Sequence, residues 1–185
     1  MTPRILLLFT LVLSAGAFAL RLFPHVPNFT PVGALSLFVG VYLVRPYKWA
    51  LAIPLGVMFL SDLAIGFYDA KLMAVVYGSF LFYVLVGSVF SKKRNILTGI
   101  LGSFAGALFF FLSTNLAVWL FAEWYPKTLE GLLLCYSFAI PFFRYTLLGD
   151  LAYTLLFFGA FVFAEKYLIK YAPTKAAVVE NKNIA

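Results

Sequence analysis

The chain has 185 residues, 64% of them hydrophobic and only 11% charged, with a mean hydropathy of +0.99. This excludes an ordinary soluble domain, which needs far more polar surface, and predicts an integral membrane protein. The length admits about six spans of roughly 20 residues with short connections, leaving no room for a soluble catalytic domain. A single cysteine, Cys135, excludes an intramolecular disulfide and a Cys-rich metal site.

The first apolar run predicts a helix over 5–21, dotted with Ser14, Ala15, Gly16, Ala17 and Ala19. The Ala15-x-x-x-Ala19 spacing permits close contact with another helix, within the chain or in a second subunit. Arg4, the run from Ile5 to Leu13 and Ala17-Phe18-Ala19 also have the pattern of a signal peptide; the reading adopted is an uncleaved first helix. FPHVPNFTP follows, at 23–31. Its three prolines stiffen the backbone, and His25, Asn28, Phe29 and Thr30 offer hydrogen bonds and a flat apolar surface for a ligand. The next helix, 31–44, is short; Thr30 is expected to cap it and Pro31 to open its first turn.

The third helix, 49–67, carries Pro54 as a candidate kink and Asp62 in VMFLSDLAIGF. A carboxylate there must face a partner, water or a ligand, an internal arginine being the structural alternative. After a fourth helix, 72–90, comes a long fifth over 96–122. It contains Asn115, which needs a partner or a ligand, and Trp119 one turn on; Trp124 and Tyr125 have the pattern of interfacial anchors. Thr98, Gly102 and Gly106 repeat the small-residue spacing. The segment 126–146 has an apolar core, Gly131 to Ala139, too short for a comfortable span, so a re-entrant or interfacial helix is expected, with a seventh span as the alternative. The last helix, 147–168, carries Asp150 near its predicted start, where it anchors the helix, pairs with Arg144 or meets a ligand. Residues 1–171 form one transmembrane helical domain, and 172–185 read as a disordered cytoplasmic tail.

Lysines and arginines decide the orientation. With the N-terminus inside, Arg4, Arg45, Lys48, Lys92, Lys93, Arg94, Lys166, Lys170, Lys175 and Lys182 lie on the cytoplasmic side, against Arg21, Lys71, Lys127 and Arg144 outside. Both termini are therefore expected in the cytoplasm, with the lipid bilayer accounting for the net charge of +7 and no nucleic acid implied. The sequence contains no HExxH, GxSxG or GxxxxGK[ST], and its one histidine excludes a histidine cluster. No metal, no cofactor and no enzymatic activity are expected.

NFTPVGALSLF, FLSDLAIGF, STNLAVWL and YPKTLEGLLLCYSFAIPFFRYTLLGDLAYT, set in a six-helix plan, resemble an uncharacterised bacterial family of small inner-membrane proteins. That family is similar in plan to the substrate-binding S components of energy-coupling factor vitamin transporters. The resemblance implies an all-α membrane protein of six transmembrane helices, and the extra interfacial or re-entrant helix read from residues 126–146 precedes the last span. It also implies capture of a small, vitamin-like molecule at the outer face. The pocket would draw on His25, Asn28, Phe29, Thr30, Asp62, Asn115, Trp119 and, from the 125–150 segment, Tyr125, Arg144 and Asp150. Ala15 and Ala19 would contact a membrane coupling subunit that works with ATPases, unless the protein runs a solitary mechanism. The alternative is a structural or assembly subunit of a membrane complex.

Overall fold

The computed structural model describes residues 3–24, 26–92 and 94–171. The expectations for His25 and for the tail lie outside the described residues. The described residues fold into six α-helices: α1 (Pro3–Leu22), α2 (Val32–Tyr42), α3 (Ala52–Ile65), α4 (Ala70–Phe90), α5 (Ile96–Phe121) and α6 (Leu129–Tyr171), with a 3-10 turn (Lys48–Leu51) leading into α3. Five are long and apolar enough to cross a membrane, one of them by including the 3-10 turn with α3. The helices run alternately up and down. The connections 23–31, 66–69 and 122–128 therefore meet at one end, the loop end, while Arg45, Lys48, Lys92 and Arg94 gather at the other, the basic end.

Local chemistry places the boundaries. The Asp69 carboxylate accepts from the N–H groups of Lys71 and Leu72 at 2.9 and 3.0 Å and starts α4. Asn95 and Thr98 form a reciprocal capping box at the start of α5. Gly66, at φ 114°, ends α3 in a conformation that a side chain would strain. Pro54 sits in the first turn of α3, so it begins that helix and does not kink it.

The short helix is the centre of the molecule. With 11 residues, α2 is about 16 Å long, roughly half the hydrocarbon thickness of a bilayer. Every one of its residues is buried. It packs against all five other helices. Glycines let it sit close: a Cβ on Gly40 would collide with the Val84 backbone of α4, and one on Gly87 with the carbonyl of Leu37. In α5, Gly102 makes room for the Leu37 side chain and Gly106 for the Tyr83 ring. The small-residue spacing of α5 thus serves contacts within the chain. Toward the basic end, Phe38 and Tyr42 pack among Phe9, Phe158 and Phe161, with centroids 4.3–5.8 Å apart. That aromatic plug closes the bundle on that side.

Three further expectations are corrected. Residues 126–146 form neither a separate re-entrant or interfacial helix nor a seventh span: from Leu129 they are the first half of α6, continuous over 43 residues with Pro141 inside it. At 1.5 Å per residue this helix is about 65 Å long and exceeds the bilayer thickness. The apolar core is short, but α5 supports it laterally, with the Tyr136 hydroxyl donating to the Leu112 carbonyl at 2.7 Å and the Cys135 thiol facing the Asn115 carbonyl at 3.4 Å. Asp150 consequently lies deep in α6, far from its start, and Arg144 donates to the Tyr145 hydroxyl at 3.1 Å and not to Asp150. Lastly, Pro31 is the N-cap of α2 and Thr30 does not cap it; no side-chain cap bond is present. Pro31 already has helical dihedrals, φ −82° and ψ 0°, so the helix starts before Thr30 can reach it.

A candidate ligand cavity at the loop end

The shortness of α2 leaves space above its first turn, and the longer helices wall that space. The result is a cavity of about 290 Å³, near the lower limit of small-molecule pockets. Asn28 and Thr30 of the 23–31 connection line it, as do Arg21 from the end of α1 and Tyr68 from the α3–α4 connection. Its helical walls are Met58 and Ile65 of α3, Val76, Phe80 and Tyr83 of α4, Phe110 of α5, and Thr146 and Asp150 of α6. A second cavity of about 270 Å³ lies between α5 and α6 and includes Thr114, Asn115 and Phe143. The two share Asn28, Phe110 and Thr146.

The proline-rich connection is a shaped wall. The Phe29 N–H donates to the Val26 carbonyl at 3.0 Å, closing a four-residue turn with Pro27 second and Asn28 third. Asn28 has φ 64°, a left-handed conformation that asparagine tolerates better than most residues. The turn holds the Asn28 side chain on the rim of both cavities. Phe29 turns away and packs on Tyr153 at 5.5 Å, and its backbone lies against Gly149. Thr30, released from capping, faces the main cavity.

The two buried carboxylates have different surroundings. Asp62 is 2% exposed and accepts from the Arg21 guanidinium at 2.6 Å and the Tyr77 hydroxyl at 2.8 Å. A second arm of Arg21 contacts the Met58 sulfur. This pair fastens α1 to α3 and α4, and places Arg21, 15% exposed, in the cavity wall. Asp150 is 3% exposed, lines the cavity and accepts a hydrogen bond from the Tyr83 hydroxyl. Its carboxylate rests against Gly33 in the first turn of α2, where any Cβ would displace it. The positive end of the α2 dipole therefore lies beside Asp150. At the cavity rim, burial and then the nearby Asp62 push the Tyr68 hydroxyl up to about 12, so it stays neutral and can donate.

The remaining candidates fall elsewhere. Asn115 lines the second cavity, with its amide donating to the Phe111 carbonyl at 2.7 Å. Trp119 donates to the Pro126 carbonyl at 2.9 Å and Lys127 lies 6.0 Å over its ring, so it secures the α5–α6 connection. Trp119, Tyr125, Phe29 and Arg144 line neither cavity. Ala15 and Ala19 are exposed on α1. Sequence reasoning missed Arg21, Tyr68, Tyr83 and Thr146. Arg21 carries a signal, a cation closing an apolar helix, that membrane topology alone already explains; Tyr83 and Thr146 stand in apolar helices with nothing local to mark them.

The profile of a family of unknown function, DUF6580, matches residues 1–174. No curated protein and no solved structure matches the chain. The chain belongs to DUF6580.

Proposed function

We propose that this DUF6580 member is a membrane transport protein that binds a small, vitamin-like molecule from the outer face of a bacterial inner membrane. Both termini are cytoplasmic in this reading, because the basic end then faces the cytoplasm. The observation that carries it is the main cavity: a pocket in a bundle of membrane-length helices, lined at the loop end by Arg21, Asn28, Thr30 and Tyr68, with the buried α2 and the aromatic plug lying toward the basic end. Its polar side chains come from five separate parts of the chain (α1, the 23–31 and 66–69 connections, α4 and α6) and converge on one space, as ligand sites do. The ligand is captured beneath the 23–31 connection, and the helical body then reorients or opens toward the basic end. No covalent chemistry is involved.

Alpha-1 supports a partner as well as a ligand. Its membrane-length window is only 11% buried, against 28–33% for the other four long helices. Exposed Ala15 and Ala19 lie on it, where small side chains allow a second membrane helix to approach. A coupling subunit with its ATPases fits that face in the transport reading; a scaffold subunit fits it in the alternative, a structural role.

Native mass spectrometry of the purified protein separates the two. The transport reading expects a co-purifying small molecule, lost in Asn28→Ala and in the cavity-filling Thr146→Trp. A protein that stays empty across a vitamin panel and copurifies stoichiometrically with another membrane subunit would overturn it in favour of the structural role.

A further inference from the structure

A ligand must complement the groups that a cavity leaves unanswered, and the two carboxylates here differ in that respect. Asp62 has Arg21 and Tyr77. Asp150 is equally buried and lines the main cavity, yet among the described residues no basic side chain pairs with it. Among the described residues the elements packed around it bring no cation: α4 offers the Tyr83 hydroxyl, α2 offers Gly33, the 23–31 connection offers Asn28 and Thr30, and α6 places Thr146 one turn earlier. An isolated carboxylate inside a membrane protein is costly, and a cation delivered by a ligand relieves that cost. Arg21, the one guanidinium among the described residues lining the cavity, is already committed to Asp62. The Phe80 and Phe110 rings, with centroids 5.5 Å apart, supply an apolar wall whose faces also attract cations.

We infer that the ligand is a small organic cation, an ammonium group carried on an apolar body. The ammonium pairs with Asp150, and the body lies along Phe80 and Phe110. About 290 Å³ accommodates a single aromatic ring with a short alkylammonium arm. This rests on the reading of the cavity as a ligand site, and adds the charge and shape of what occupies it.

The test is calorimetric titration of the full chain in nanodiscs, with empty nanodiscs as the partition control. Three probes of matched size are used: 2-phenylethylamine, the neutral 2-phenylethanol and the anionic 3-phenylpropanoate. The expected result is saturable binding of the amine, at least tenfold tighter than the alcohol and with no measurable affinity for the carboxylate. Asp150→Asn, verified as folded by its melting profile, should weaken the amine at least tenfold and leave the alcohol unchanged; Glu123→Gln, which removes an exposed carboxylate, should bind like the unmodified protein. Discrimination among the three probes needs no variant, so a poorly folding Asp150→Asn does not blunt the test. Equal binding of amine and alcohol, preference for the carboxylate, or undiminished amine binding by folded Asp150→Asn would overturn the cation while leaving a small-molecule site standing. Failure of all three probes overturns it too, and the co-purification experiment then judges the broader reading separately.

Discussion

Asp62 and Asp150 show how little a residue type says before its neighbours are known. Both interrupt apolar helices, and both raise the same question in the sequence: partner, water or ligand. Asp62 proves to be one end of an ion pair that joins α1 to α3. Removing Arg21 strands a carboxylate that is 2% exposed, so Arg21→Ala should cost about 3 kcal/mol of stability. Arg21→Ala with Asp62→Ala should recover part of that loss. Thermal unfolding in detergent measures both, and equal melting temperatures for Arg21→Ala and the unmodified protein would show that the pair does not stabilise the fold. An Arg144–Asp150 pair, one of the alternatives the sequence leaves open, does not form for a simple reason: six residues apart on one continuous helix, the two point to different sides.

At the level of elements, glycine placement decides how deeply α2 is sunk. Gly40 and Gly87 bring α2 and α4 to backbone contact. Gly40→Leu should separate them and lower the yield of folded protein sharply, since overpacking costs about 1–3 kcal/mol even where side chains adjust, and backbone adjusts less. Gly56→Leu, on α3 with no atom near its Cβ position, is the control, and size-exclusion chromatography reads both. The length of α6 is testable directly. Spin labels at Leu134 and Phe163, both exposed, with Cys135→Ser to remove the native thiol, should lie roughly 44 Å apart along one helix. A mean distance under about 30 Å, as a re-entrant turn would produce, overturns the continuous helix.

For the whole molecule, the alternation of helices sorts the connections into a basic end and a loop end, and the cavity belongs to the loop end. The proposed orientation makes a direct prediction. In a Cys135→Ser background, a cysteine at Trp124 should react with a membrane-impermeant maleimide in intact cells, and one at Lys92 only after permeabilisation. The reverse pattern would put the cavity on the cytoplasmic face and refute capture from outside.

Composition and hydropathy determined the class, the number of apolar segments and, to within a few residues, most helix boundaries, because transfer into a bilayer is a sum over local residues. Short-range chemistry also made the peculiarity of PHVPNFTP legible: prolines and a left-handed asparagine need no distant partner to shape a turn. Tertiary structure alone decided three things: that the shortest helix is the buried hub, that residues 126–146 continue into α6, and that Asn28, Thr30, Tyr83, Thr146 and Asp150 share one cavity. Each depends on residues far apart in the chain meeting across helix interfaces. Packing sets those meetings, and no local pattern of apolar residues encodes which face turns inward when nearly every face is apolar.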